Sequence, residues 1–328
     1  MKINLCFMML LIIALSNCKK IDRPVIPTIN VNPISSIGYG SSINKLCFNT
    51  SLTGFAACSN GQLFKTTDGG NSWSVCSGLN GTGYILDDIQ FPSDSVGYVH
   101  ASNNAAPPAI FKTTDRGITW TPTVLGWLTS DIMIWSSETN GLIRGSTGVS
   151  FTHDGGNNWI PLTSGPVINY TTMFCANADT IFATDQGTAL WYSYDGGIDW
   201  NQDMAPNMTP DGFNYVRYVS GIRAYGIDEV GNILRSDNYG FTWSIVHAYT
   251  SETAFHYGAV DVAYGFGLAV GNSSVFVSRN NGDSWEYRLC QNGANLTDNL
   301  LDVHIQNSTS GVACSSKGMI YSIQLGNQ

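Results

Sequence analysis

The chain has 328 residues and a formal net charge of −9, with 43% hydrophobic, 12% charged and 12% aromatic residues and 35 glycines. The charged share is about half that of an average soluble domain, and the acidic balance disfavours nucleic acid and anionic lipid surfaces as partners. No long segment repeats apolar residues at helical spacing, whereas short runs such as YILDDIQF, SDIMIW, YTTMF and YVRYV, bounded by Gly, Asn and Asp, fit strands.

The N-terminus reads as an export signal. Lys2 precedes an apolar run from Ile3 to Leu15, interrupted by Asn4 and too short to span a bilayer. The run ends in Leu15-Ser16-Asn17-Cys18, which resembles a bacterial lipobox with Cys18 as the lipid-modified first residue of the mature lipoprotein. An ordinary signal peptide with an incidental cysteine is the alternative. Several acyl chains, palmitate among them, would anchor stably where one chain is marginal. Lys19 and Lys20 stand where an aspartate would hold a lipoprotein at the inner membrane, so the outer membrane is the expected location, on either its periplasmic or its surface side. The chain thus divides into a signal peptide (1–17), the lipidated Cys18 with an extended tether (18–42), and a repeat domain (43–328). Pro24, Pro27 and Pro33 keep the tether extended.

The domain repeats one phrase six times: TTDGGNSW ending at Trp73, TTDRGITW at Trp120, THDGGNNW at Trp159, SYDGGIDW at Trp200, SDNYGFTW at Trp243 and SRNNGDSW at Trp285. The tryptophans lie 47, 39, 41, 43 and 42 residues apart, a period that suits one four-stranded antiparallel sheet per repeat and a radial array of blades. Asp68, Asp115, Asp154 and Asp195, replaced by Asn238 and Asn280 in the last two copies, are placed to accept backbone N–H groups across a turn. A Ser or Thr hydroxyl two positions earlier ties the end of the preceding strand. Gly70, Gly117, Gly156, Gly197, Gly240 and Gly282 supply a positive φ, and each tryptophan buries its ring as the next strand begins. Exchange of Asp for Asn keeps the acceptor and drops the charge, so the expected role is a hydrogen-bonded turn and not proton transfer or metal ligation.

After the sixth phrase, LDVHIQNSTSGVACSSKGMIYSIQ from Leu301 repeats the layout of KLCFNTSLTGFAACSNGQLFKTT from Lys45 and then stops. A seventh blade would lack its fourth strand, which the extended stretch around Thr28 to Pro33 is free to supply, closing the ring and covering an edge. The predicted fold is therefore an all-β, seven-bladed β-propeller; a six-bladed ring with an added hairpin is the alternative.

The phrase resembles the Asp-box, or BNR, repeat of sialidases, sortilin-type receptors and Ycf48/HCF136-like photosystem II assembly factors. A single propeller behind a lipoprotein signal is most similar to the Ycf48-like branch. The resemblance implies boxes that are structural turns on the outer part of the blades, away from the ligand. It also implies a non-catalytic binding or assembly role toward a protein partner at the envelope. The arginine-rich patch of that branch is not evident, since Arg217, Arg223 and Arg235 share one blade and the other arginines are dispersed. Sialidases of this superfamily use an arginine cluster, a tyrosine nucleophile assisted by a glutamate, and an aspartate acid. A chain with eight arginines, four glutamates and no Arg-Ile-Pro motif by the first blade fits them poorly. A carbohydrate-binding or sialidase-like glycosidase lipoprotein is the competing class, and its chemistry needs two carboxylates about 5–10 Å apart.

The segments from each box strand to the next blade vary and should converge on one face around the axis. Aromatic residues in or beside them, among them Trp127, Tyr170 and Tyr215, suit sugar rings or peptide side chains, or else cap the core between blades. Asp88, Asp131 and Asp302 occupy matching places in DIQF, DIMI and DVHI at the start of the innermost strands. They form either an acidic rim that attracts a cation or a basic partner segment, or simple turn caps. Beyond Cys6 and Cys18, the cysteines 47, 58, 76, 175, 290 and 314 suit disulfides of undefined pairing in an exported protein, or buried strand positions. No Cys/His cluster has metal spacing; no cofactor and no metal are expected, and the chain is expected to be a monomer.

Overall fold

In a computed structural model the described residues run from 29 to 326, except 38–39, 78, 80–82, 104–106, 127–129, 146–147, 164–169, 186–189, 204–211, 250–257, 273 and 289–297. The signal, Cys18, Trp127 and Cys290 lie outside them.

The chain opens with strand β1 (Ile29–Ser36). Blade one is β2 (Ile43–Phe48), β3 (Gly54–Cys58), β4 (Leu63–Thr66) and β5 (Ser74–Val75). Blade two is β6 (Ile85–Gln90), β7 (Gly97–Ser102), β8 (Ala109–Thr113) and β9 (Thr121–Val124). Blade three is β10 (Ser130–Trp135), β11 (Gly141–Gly145), β12 (Gly148–Thr152) and β13 (Ile160–Pro161). Blade four is β14 (Tyr170–Cys175), β15 (Ile181–Asp185), β16 (Leu190–Ser193) and β17 (Asn201–Asp203). Blade five is β18 (Phe213–Ser220), β19 (Arg223–Asp228), β20 (Ile233–Ser236) and β21 (Ser244–His247). Blade six is β22 (Ala259–Ala263), β23 (Phe266–Gly271), β24 (Ser274–Ser278) and β25 (Glu286–Arg288). Blade seven is β26 (Leu300–Asn307), β27 (Ser310–Ser315) and β28 (Met319–Leu325), and β1 fills its fourth place. The ring is a seven-bladed propeller, and the six-bladed alternative falls. β1 runs antiparallel to β28, with Ile29 opposite Leu325 and Ser36 opposite Met319, so that one blade carries both ends of the described chain.

The first strand of each blade is innermost, and these strands pack side by side from β2 through β26 and back to β2. Apolar side chains fill the seams between blades. Phe55, Leu63, Val99 and Phe111 join blades one and two; Tyr98 stacks on Trp135 between blades two and three. Leu142, Phe174, Phe182 and Leu234 continue through blades three to five. Tyr225 and Phe276 link five to six, Leu268 and Val303 six to seven, and Val312 and Ile43 close seven onto one. Ring closure is what lets a sheet with a short outer strand, only two residues in β5, hold its place: each blade is buried on both faces by its neighbours.

The third strand of the six box-bearing blades ends in a box. In box one, Thr66 Oγ1 donates to Asp68 Oδ1 at 2.8 Å and accepts from Gly70 N at 2.8 Å. Asp68 Oδ1 accepts from Ser72 N at 2.9 Å, Oδ2 from Ser72 Oγ at 2.5 Å, and Trp73 Nε1 donates to Gly70 O at 3.0 Å. The Asn boxes reproduce this with one reversal. Asn280 Oδ1 still accepts from Ser278 Oγ (2.9 Å) and Ser284 N (3.0 Å), while its Nδ2 donates to the Ser284 hydroxyl at 2.9 Å. Serine can accept as readily as donate, which explains why Asp and Asn interchange. Gly70 has φ +92°, and a Cβ on Gly282 would lie 2.2 Å from the Tyr225 hydroxyl. The residue before the fixed glycine is left-handed too, even where it is Arg116, Tyr239 or Asn281, with φ of 63°, 61° and 57°; the sequence pattern did not indicate this.

Candidate functional site

Six of the seven innermost strands carry a register shift near their start, at 43/45, 86/88, 130/132, 170/172, 213/215 and 300/302. Such bulges add a residue to one strand, bend it and re-aim its side chains. Here they decide what faces the axis. Neighbouring innermost strands belong to different sheets and share no backbone ladder, so side chains bridge them. Asn44 Nδ2 donates to Leu86 O at 2.8 Å; Gln90 donates to Met133 O at 2.7 Å and accepts from Trp135 N at 2.9 Å.

On blades five, six, seven and one the bridging groups are charged. Asp302, 1% exposed, accepts from Leu46 N (3.0 Å), from its neighbour Val303 N (3.0 Å) and from the Tyr215 hydroxyl (3.3 Å), and pairs with Lys45 Nζ at 3.4 Å. Asp261 accepts from Ile305 N at 2.7 Å and pairs with Arg217 Nε at 3.1 Å. Arg217 also donates to Val303 O at 3.2 Å. Lys45 lies over the Tyr215 ring, 4.8 Å from its centroid. His304 stacks on Phe48 at 4.4 Å and is 3.5 Å from Asp261. Burial is the largest single influence here and favours the neutral forms, but Asp302, Tyr215 and Asp88 together outweigh it at Lys45, and Asp261, Tyr215 and Asp302 together at Arg217, so both cations are held above their ordinary pKa. At His304 burial wins and pushes the imidazole down to about 4, neutral at physiological pH. Leaving either carboxylate without its cation would cost several kcal/mol, because an unpaired charge in such a wall is poorly solvated, of order 3–5 kcal/mol.

A cavity of about 580 Å³ opens along the axis between β2, β6, β10, β14 and β18. Lys45, Asp88, Trp135, Met173, Tyr215 and Arg217 are among its walls. Asp88 lines it with its carboxylate engaged by Ile89 N (2.8 Å) and Gln90 Nε2 (2.6 Å). Of the residues singled out in the sequence, Asp88 and Tyr215 thus meet at the cavity, and Asp302 is buried behind its lining, held by Lys45 and Tyr215. Asp131 and Tyr170 begin their innermost strands, their side chains outside the described part. Sequence reasoning missed Lys45, Arg217, Asp261 and His304. Asp261 was within reach, since AVDVA and LLDVHI place their aspartates alike on β22 and β26. Arg223 and Arg235 are far from the axis in function: both pair with Asp237, at 2.6 and 2.8 Å, in the turns of the box side.

The cysteines 47, 58, 175 and 314 are free. Cys47 faces Phe55 and Cys58 faces Ile43 across one hairpin, so these two do not meet. Burial pushes the Cys47 and Cys175 thiols up to about 11, which makes them poor nucleophiles. Among the described residues no group of three or more His, Cys, Asp or Glu is placed to hold a metal.

No family model matches the sequence, and no curated protein matches it. Solved structures do match in fold. YCF48 bound to D1 peptide aligns over 92% of this chain and 96% of that one, with TM-score 0.66 and 17% identity. YCF48 from Cyanidioschyzon merolae aligns over 90% and 99%, with TM-score 0.66 and 16% identity. The GH74 xyloglucanase from Xanthomonas campestris aligns over 90% of this chain and 53% of its own length, with TM-score 0.69 and 15% identity. At these identities the likeness is one of architecture: the chain is an all-β, seven-bladed propeller similar to those of Ycf48 and of the GH74 enzymes.

Proposed function

We propose that the chain is a non-catalytic binding propeller, assembly-factor-like, that holds a segment of a partner protein at its axial cavity and is tethered to the envelope through lipid at Cys18. The observation that carries this reading is the state of the charged groups around the cavity. Asp261 and Asp302 are each engaged by a backbone N–H and a cation, and Asp88 by its own strand, so none is arranged as a free acid or nucleophile. What remains among the cavity's lining is aromatic, thioether and amide surface with two fixed cations and Asp87, which lies 3.3 Å from His100 Nδ1, and this suits a peptide. The likeness to YCF48 in complex with a peptide supports the same choice.

Thr172→Trp would block the cavity from β14 without touching the ion pairs. Crosslinked membranes from cells carrying the native chain should yield a stoichiometric protein partner, and the Thr172→Trp chain should lose it. Undiminished recovery would remove the axial site from the reading. A second reading, carbohydrate binding or glycosidase activity, is favoured by one observation: an arginine and two aspartates do converge beside the axis, on a fold shared with GH74 enzymes. A glycan array with the same chain, followed by assay of any glycan bound, decides between them.

A further inference from the structure

We propose that the face carrying the Asp boxes lies against a lipid surface, with blades five to seven in contact and the opposite end of the ring turned outward. The inference shares one premise with the proposed function, that Cys18 carries lipid, but it concerns a different surface from the axial cavity.

Three observations carry it. The first is where the chain enters the ring. β1 begins at Ile29 opposite Leu325, the end of the third strand of blade seven, and Leu325 N donates to Thr309 O in the turn between β26 and β27 at 2.9 Å. In the other blades the same juncture holds a box against the first turn, as where Gly69 N donates to Leu52 O and Tyr239 N to Ile222 O, both at 2.8 Å. The chain therefore enters on the box face. The stretch from Cys18 to Ile29 spans at most about 40 Å when fully extended. Laying the opposite face on a bilayer would require it to climb back along an eight-residue strand, roughly 26 Å.

The second is the side chains presented beside that entry. On blades five and six, Ile222, Tyr239 and Tyr264 project from the box turn and first turns, with Tyr264 66% exposed; Leu52, Ile118, Tyr194 and Ile198 continue the exposed apolar set round the same face on blades one, two and four. Among the described residues outside the outermost strands, every large apolar side chain this exposed is on the box face. Tyrosine with an apolar body and a polar tip, interleaved with isoleucine, is the composition that partitions to the headgroup region.

The third is charge. On blades five to seven of this face Arg223, Arg235, Asp237 and Asp283 pair with one another, leaving little net charge, whereas blade four brings the exposed Asp179, Asp195 and Asp199 to it. A neutral apolar sector on a chain of charge −9 fits zwitterionic lipid and not an anionic surface. An apolar protein surface would match the side chains equally, but it would not explain why they adjoin the entry of the tether.

The test is hydrogen exchange on the full chain, purified with its native modifications, with and without vesicles of phosphatidylethanolamine and phosphatidylcholine. Turns 221–223, 238–242 and 264–265 should slow by about threefold or more on vesicles, while turns 59–62, 229–232 and 316–318 of the opposite face keep their rates. In Tyr239→Asp/Tyr264→Asp the slowing should vanish while the far-UV spectrum and the rates of β23 and β27 stay native. Slowing on the opposite face, slowing on neither face, absence of vesicle binding, or box-face slowing that needs added membrane protein would each overturn the proposal. Mass spectrometry of the N-terminal peptide reports separately on acylation of Cys18. An unmodified cysteine removes the anchor from the proposed function, whereas box-face slowing on vesicles would still stand.

Discussion

Replacing the box aspartates separates hydrogen bonding from charge. Asp68→Ala deletes the acceptors of Ser72 N, Ser72 Oγ and Thr66 Oγ1. At an accessible turn water replaces part of this, and the loss should be about 1–2 kcal/mol, as for a helix cap. Asp68→Asn keeps Oδ1 on Thr66 and Ser72 N and lets the Ser72 hydroxyl accept from Nδ2, as Asn280 and Ser284 already do; its cost should stay under about 0.5 kcal/mol. Asp115 has the same arrangement with Thr113 and Thr119 in blade two. Because the two boxes share no partners their effects should add, giving about 2–4 kcal/mol for the double Ala variant and under about 1 for the double Asn variant in urea unfolding at pH 7. The acid limb provides the second arm. The Ser72 hydroxyl and N–H, with Thr66, hold the Asp68 carboxyl at about 2, below its ordinary 3.8, and the Thr119 hydroxyl and N–H do the same for Asp115. A depressed carboxyl stabilises the fold above its unfolded pKa and loses that contribution as pH falls from about 4 to about 2. The Asn pair should lose less stability over that window than the native chain. Equal losses for Asn and Ala at pH 7, or an unchanged acid limb in the Asn pair, would refute the hydrogen-bond account.

Other outcomes test the axis and the turns. Asp302→Ala leaves Leu46 N and Lys45 without their acceptor and should destabilise by about 3–5 kcal/mol in the same unfolding assay, with Asp302→Asn milder because it retains an acceptor for Leu46. His304, depressed to about 4 by burial, binds its proton more readily when unfolded, so stability should fall as pH drops from about 6.5 to 4, and His304→Phe should flatten that slope. Tyr239→Gly should raise stability by roughly 0.5–1 kcal/mol, since glycine adopts its φ of 61° without strain. Gly282→Ala should do the reverse and shift the tryptophan emission of blade six, because its Cβ meets the Tyr225 ring.

The seven-bladed ring was legible in the sequence because its signals are local and repeated. A Ser/Thr-x-Asp-x-Gly-x-x-Trp turn closes within eight residues, so each copy declares a third strand, a fourth strand and a period, whatever lies around it. The unfinished last repeat likewise called for a strand from near the N-terminus, and β1 occupies that place on β28. The wall of the axis was not legible. Lys45, Arg217, Asp261 and Asp302 come from four blades, and Asp302 lies 256 positions from the amide of Leu46 that it accepts. Their meeting depends on ring closure and on bulges that shift six of the seven inner strands, including those of Lys45, Arg217 and Asp302 though not the β22 of Asp261, and a one-residue shift reverses which side chains face the axis. The same holds for Asp88 and Asp302, alike in sequence yet distinct in place: one lines the cavity, the other is sealed into the wall by its neighbours from the first and fifth blades. Local turn chemistry determined the repeat; only the closed ring decided which charges are spent on holding blades together and which surface is left to bind.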